Sequence, residues 1–243
     1  MGRILQSIVV GVLLIAANAP PSRADGARED AQLNAAVAVE NDWGDFQALE
    51  ELVLRTTHAR AFREHGLLTL LFGDDRELSF QDQECPGLAR NLVWVCVRYY
   101  LLADLPSRHA FVVREKNQLA GGCIWLIDDR EGQPTRLPAV PQFGPDDSEF
   151  ITLDNRFSND TPDITIWQWR DGTARAVWHH GFELDPIYHM TALVHWEDPD
   201  AIYLDLWCTS GPHWPAVVRR GPDGWRLEVT WPELNPRSCA NNS

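Results

Sequence analysis

Past Gly66 the chain alternates. Apolar and polar residues trade places in short runs, and Gly, Pro, Asn and Asp cut the runs apart. A period of two sends successive side chains to opposite faces of a strand, so this texture predicts antiparallel sheet and argues against a helical bundle. LLTLLF, then GDD, then RELSF reads as a hairpin. Further runs fall near residues 92–102, 109–115, 121–127, 148–154, 163–170, 174–180, 187–196, 202–208, 215–220 and 225–231, about a dozen strands in all.

Two hairpins carry their own register. In ITIWQWRDGTARAVWHH the Asp171-Gly172 dipeptide suits a two-residue type I′ turn, in which both central residues have positive φ. Pairing Arg170 with Thr173 then sets Trp169 opposite Ala174, Trp167 opposite Ala176 and Thr165 opposite Trp178. Large against small on one face predicts a buried face. In AVVRRGPDGWRLEVTW the turn falls at Gly221–Gly224, with Pro222 at the position that its fixed φ favours. Trp225, Leu227, Val229 and Trp231 line one side, and Arg226, Glu228 and Thr230 the other.

The N-terminal part has a different texture. MGRILQSIVVGVLLIAANAPPSRADG combines Arg3, an apolar run from Ile8 to Ala17 and small-residue cleavage signals. It predicts a secretory signal peptide over 1–24, cut after Ala24. The run is short of the roughly 20 apolar residues that a membrane span needs. No cysteine at the cut awaits lipid. The expected product is periplasmic or secreted. A helical segment is expected over 25–66, with one amphipathic helix from Asp45 to His65 in which Phe46, Leu49, Val53 and Phe62 keep close to helical spacing. Asp45 would cap it and Gly66 would stop it. An antiparallel β domain over 67–236 and a tail over 237–243 complete the division. Loss of Arg3 and Arg23 moves the formal charge from −14 to −16, a surface that repels nucleic acid and anionic headgroups.

Val140–Asp154 can be laid over Val194–Asp205. Each reads as an aromatic residue, a Pro/Asp turn and a strand. Turns near Glu115–Gln118, Asp171–Gly172 and Gly221–Gly224 recur at intervals of about 50 residues. PQFGPDDSEFITLD followed by ITIWQWRDG resembles a blade of the WD-type β-propellers, in the variant whose strand entry reads F-S-P-D-G. Phe143, Pro145 and Asp146 match, Gly144 stands for the serine and Asp147 for the glycine; Ile166-Trp167 resembles the "I-W" of the next strand. The resemblance implies a binding scaffold, not a reaction. With three full units and a hairpin, the expected fold is mainly β: an antiparallel β-sandwich, or an open propeller-like stack of β-meanders with an N-terminal amphipathic helix.

Candidate chemistry centres on HHGFELDPIYHMTALVHWE, residues 179–197. His179 and His180 are neighbours on a strand and point to opposite faces. His189 and His195 share a face but stand roughly 20 Å apart, too far for one zinc ion. His180, Glu183, Asp185 and His189, gathered by the loop GFELDP, form the one metal set that survives, and it would suit an exported metal-assisted hydrolase. The solvated-sheet reading of these residues is preferred. His109 lies close to Ser107 and Asp104, yet sequence neighbours do not make a triad. Asp128-Asp129 and Asp146-Asp147 fit turns. Eleven tryptophans fill a core or, in Trp207, Trp214 and Trp231, offer faces to a glycan. Cys85 and Cys96 are the first pair expected to form a disulfide in an oxidising compartment. No motif asks for a cofactor. The expected function is an exported, non-catalytic β domain binding a protein or glycan partner in the envelope.

Overall fold

A computed structural model describes residues 23–41, 45–83, 97–117, 122–154, 163–181, 190–208 and 213–229. Two helices, α1 (Arg23–Asn41) and α2 (Phe46–Leu54), precede the strands. Among the described residues the strands form four antiparallel sheets, each a meander in chain order. The first holds β1 (Ala61–Glu64), β2 (Leu67–Leu71) and β3 (Glu77–Gln81). The second holds β4 (Val97–Leu105), β5 (Ala110–Asn117), β6 (Cys123–Asp128) and β7 (Pro134–Leu137). The third holds β8 (Gln142–Phe143), β9 (Glu149–Asp154), β10 (Asp163–Arg170) and β11 (Thr173–Gly181). The fourth holds β12 (Met190–Asp198), β13 (Ala201–Cys208), β14 (His213–Gly221) and β15 (Gly224–Val229). Residues 1–22 of the expected signal peptide, the expected tail and the expected Cys85–Cys96 pair lie outside the described residues, and Arg23 and Ala24 open α1.

The fold is mainly β: the sheets stack, and among the described residues they form no closed barrel. Phe72 packs on Phe111 at 6.3 Å and Phe80 on Tyr99 at 5.1 Å, joining the first sheet to the second. Trp169 and Phe150 carry the third sheet into the same core, which also takes Leu33, Phe46, Leu49 and Val53 from the helices. Ile151, Ile164 and Ile166 meet Ile202, Leu204, Ala216 and Val218 to join the third sheet to the fourth. On its other side the fourth sheet is polar. Arg219 and Arg226 both reach Glu228, at 3.5 and 2.8 Å, and the exposed His195 shares that face. A polar outer face suits the end of a stack.

The expected long helix stops early. Asp45 caps α2 as the sequence predicts, Oδ1 accepting from Gln47 N at 3.0 Å and Ala48 N at 3.1 Å. After Leu54, however, the Thr56 and Thr57 hydroxyls donate back to the Val53 and Leu54 carbonyls, and His58 and Ala59 adopt positive φ. Such residues end a helix. Ala61–Glu64 is then a strand, and Phe62 is 40% exposed instead of lining the core. His65 (φ 49°) and Gly66 (φ 79°) make the two-residue turn into β2. Gly66 turns a hairpin; it does not stop a helix.

The β10–β11 register is as expected through Trp167–Ala176, and Asp171 (φ 50°) and Gly172 (φ 73°) form the turn. A bulge beyond Trp167 then pairs Trp178 with Ile166, not with Thr165. The extra residue turns Trp178 and His180 toward the fourth sheet, with Ile164 and Ile166.

Both departures from F-S-P-D-G have a use. Gly144 lies flat under Trp196, where an added Cβ would stand 3.2 Å from the indole. Trp196 Nε1 donates to the Gln142 carbonyl. Asp147 takes a φ of 58° and its Oδ1 accepts from Arg108 Nε at 2.7 Å. The recurring turn also shifts phase. Asp171–Gly172 and Pro222–Asp223 join third to fourth strands, whereas β5–β6 joins second to third. The counterpart in the second sheet is the β6–β7 turn, where Gly172 abuts Asp128. In the first sheet it is the β2–β3 turn, where Arg76 Nη1 donates to the Glu131 carbonyl at 2.9 Å.

A Cβ at Gly172 would fall 2.4 Å from Asp128 Cγ, whereas one at Gly224 (φ 108°) meets nothing within 4 Å. Gly224→Ala should therefore carry only a backbone cost, about 1–2 kcal/mol. Gly172→Ala adds an overpacking cost of roughly 1–3 kcal/mol. Urea denaturation of both variants checks the order; equal losses would contradict the packing of this turn on Asp128.

Candidate functional site

The helices bring polar side chains to an unpaired strand edge. Among the described residues β4 begins the second sheet, so most backbone groups on its outer side have no partner strand there, although the Val97 carbonyl accepts from Gln83 N at 2.9 Å. Tyr99 N donates to Asp82 Oδ1 at 3.0 Å and Leu101 N to Glu50 Oε1 at 2.8 Å. Asp104 N donates to Gln32 Oε1 at 2.9 Å and Ser107 N to Glu29 Oε1 at 2.7 Å. The step from odd to even positions follows an irregularity between Leu101 and Ala103 in the β4–β5 register. Arg63 joins the edge to the rest. Its Nε and Nη2 bind the two Glu50 oxygens at 2.7 and 2.9 Å, Nη1 binds Asp82 at 3.0 Å, and Nη2 also donates to the Tyr99 carbonyl. Glu50 and Asp82 hold the Arg63 guanidinium protonated more firmly than usual, although burial opposes this.

A second charged group ties α1 to the second and third sheets. Arg108 is buried, with its guanidinium 4.9 Å over Phe143. It binds Glu29 at 3.3 Å, Asp30 at 2.8 Å and Asp147 at 2.7 Å. The Trp169 indole donates to its carbonyl at 3.3 Å.

The third group is the candidate site. Arg60, just before β1, lies 4.6 Å over the Phe111 ring. Its Nη1 is 3.0 Å from Asp104 Oδ1, and its Nη2 contacts Asp129 Oδ2. Asp129 Oδ1 lies 3.3 Å from His109 Nδ1. His109 is left-handed (φ 53°), and its side chain is 55% exposed. The Asp104 side chain is only 3% exposed, and Oδ1 has no aligned hydrogen bond despite the short charge contact. Burial pushes its carboxyl up to about 6. A buried acid, a guanidinium and a histidine–aspartate pair thus meet at one end of the first two sheets.

Of the predicted metal set, His180 is described; Glu183, Asp185 and His189 lie outside the described residues. His180 is half-buried on β11 and stacks on Trp178, with centroids 5.8 Å apart and rings 8° from parallel. Burial and the neighbouring His179 lower its pKa. His179 turns to the opposite face and reaches Asp163 at 3.4 Å. Among the described residues no group of three or more His, Cys, Asp or Glu is placed to hold a metal ion. Ser107 turns its hydroxyl to Glu29, so Ser107 and His109 serve different groups. Asp128 accepts from Arg130 Nε and Glu131 N, and Asp146 from Ser148 N, as turn aspartates do. Trp169 is core, and Trp167 stacks on Phe150 while donating to Thr152. Arg60 carried no signal in the sequence, because its partners lie far along the chain. Comparison with known proteins returns no matching family model, curated protein or solved structure.

Removing Arg60 strands two carboxylates, one of them buried. Arg60→Ala should cost ~3 kcal/mol in urea denaturation, the scale of a broken buried ion pair. Arg60→Ala with Asp104→Asn should recover part of that loss, since the stranded charge is gone. A double variant no more stable than Arg60→Ala would show that Asp104 and Arg60 are not coupled.

Proposed function

We propose that this chain is an exported, non-catalytic β domain that binds a protein or polymer of the cell envelope. One observation carries the reading. The main ionic groups run between elements, from Glu50 on α2 through Arg63 on β1 to β4, and from Glu29 on α1 through Arg108 to Asp147. Their charge is used to fix a stack of meanders, and such stacks work as display surfaces. We read the second, third and fourth sheets as propeller-like blades on the strength of the F-G-P-D-D entry.

The stack supports one surface in particular. The β2–β3, β6–β7, β10–β11 and β14–β15 turns lie at the same end of their sheets and present Asp74, Asp75, Glu131, Asp171 and Asp223 beside Arg76, Arg130 and Arg170. With a whole-chain charge of −14, this end favours a cationic or neutral partner.

Export is tested by fractionation and N-terminal sequencing: a mature chain starting at Asp25 is expected, and an uncleaved cytoplasmic chain would refute it. Binding is tested by sedimenting the mature protein with isolated cell-wall sacculi and, separately, with envelope protein. Retention that falls at least tenfold in Asp74→Lys/Glu131→Lys/Asp223→Lys is expected. Stoichiometric zinc with hydrolytic turnover, both lost in His180→Ala, would replace this reading with the metal-assisted hydrolase.

A further inference from the structure

We propose that the Arg60–Asp104–Asp129–His109 group is a proton-operated catch that tightens the first sheet and α1 onto the second sheet as the medium acidifies. Arg60 belongs to the turn before β1, Asp104 to β4, Asp129 to the β6–β7 turn, and His109 to the turn between β4 and β5. A change at this group is felt by both sheets at once.

The local charges do not balance. Arg60 serves both Asp104 and Asp129. Of the cations facing the group from α1 and the β4–β5 turn, Arg108 is held by Glu29, Asp30 and Asp147, and Arg28, 3.8 Å from Asp25, is shared between that carboxylate and the field at Asp104. Three guanidiniums therefore stand among six carboxylates, Asp25, Glu29, Asp30, Asp104, Asp129 and Asp147. Glu29 and Asp104 are the most deeply buried of these, and Glu29 accepts from Ser107 and Arg108. Asp104 Oδ1, buried without an aligned donor, is where the excess negative charge is least compensated. A proton placed there removes a buried charge and leaves Arg60 wholly to Asp129.

The direction follows from linkage. Burial raises the Asp104 carboxyl from its ordinary 3.8 to about 6; Arg60 and Arg28 pull it down, Glu29 and Asp129 push it up. The folded chain keeps this proton where the unfolded chain has released it. The stability it contributes is fully present below about 4 and is lost as pH rises through about 6.

The test uses the whole mature chain with Asp104→Asn, an isosteric neutral variant. Thermal unfolding is followed from pH 7.5 to 5.0. A general acidic surface also gains stability on acidification, so the reading is the difference between the two slopes. The unsubstituted chain is expected to gain roughly 5 °C more than Asp104→Asn across this range. Amides of β1 and β2, corrected for intrinsic exchange, should gain about tenfold protection in the unsubstituted chain alone. Equal slopes would overturn the proposal. Should Asp104→Asn fail to fold, the Asp104 carboxyl carbon is titrated by NMR in the unsubstituted chain. A midpoint near 6 supports the catch, and one below 4.5 overturns it.

Discussion

The inner edge of β4 is the constraint around which the structure is arranged. A buried backbone N–H without an acceptor costs about 1–3 kcal/mol. Four N–H groups, at Tyr99, Leu101 and Asp104 on β4 and at Ser107 just beyond it, find side-chain oxygens instead of a strand, the Leu101 and Asp104 bonds buried and the other two partly so. Three of those oxygens arrive on the helices, through Glu29, Gln32 and Glu50, and the fourth on Asp82 just beyond β3. The helices are thus part of the sheet's hydrogen bonding, not an annex beside it. Once Glu50 is committed to the Leu101 amide, Arg63 must accompany it as a counter-charge, and this fixes where β1 lies.

From that edge the rest builds outward by burial. The second sheet is apolar on both faces, with Val112, Val113, Leu126 and Ile127 fully buried, because the first sheet and the third both pack on it. The third sheet is a spacer: Phe150 and Trp169 face the second, Ile151, Ile164 and Ile166 the fourth. The bulge in β11 lets Trp178 serve the second of these seams while Trp167 serves the first. Among the described residues the fourth sheet is the last of the series, and Arg219, Arg226 and Glu228 form ion pairs on its outer face. Arg220, bound to Glu149 and Asp200 with its guanidinium 4.5 Å over Trp225, fastens it to the third sheet.

Local features of this plan were legible in the sequence. Asp45 as a cap, the Asp171-Gly172 turn, the Gly221–Gly224 turn and the apolar line of Trp225 and Leu227 each depend on residues a few positions apart. What spans the chain was not. Leu101–Glu50, Asp104–Gln32 and Ser107–Glu29 are separated by 51, 72 and 78 residues. They also disguise α1, whose inward face mixes Glu29 and Gln32 with Leu33 and Ala36 and so lacks a clean apolar stripe. The helix end at Leu54 was hidden because Phe46, Leu49 and Val53 set a helical period and no Gly or Pro breaks the chain before Gly66, while the two threonine hydroxyls and two left-handed residues that stop the helix have no periodic signature. At the candidate site, Asp104, His109 and Asp129 each stood out as a neighbour or a turn residue. Arg60, which unites them, lies 69 residues from Asp129.

Backbone amide exchange at Tyr99, Leu101, Asp104 and Ser107 tests the edge-capping account most directly. If side chains from α1, α2 and Asp82 seal β4, these amides exchange as slowly as those of β5 at the centre of the same sheet. Glu50→Gln, which keeps an acceptor oxygen, would leave Leu101 protected, whereas Glu50→Ala would release it. Fast exchange at all four in the unsubstituted chain, at the rate of an open strand edge, would contradict the account.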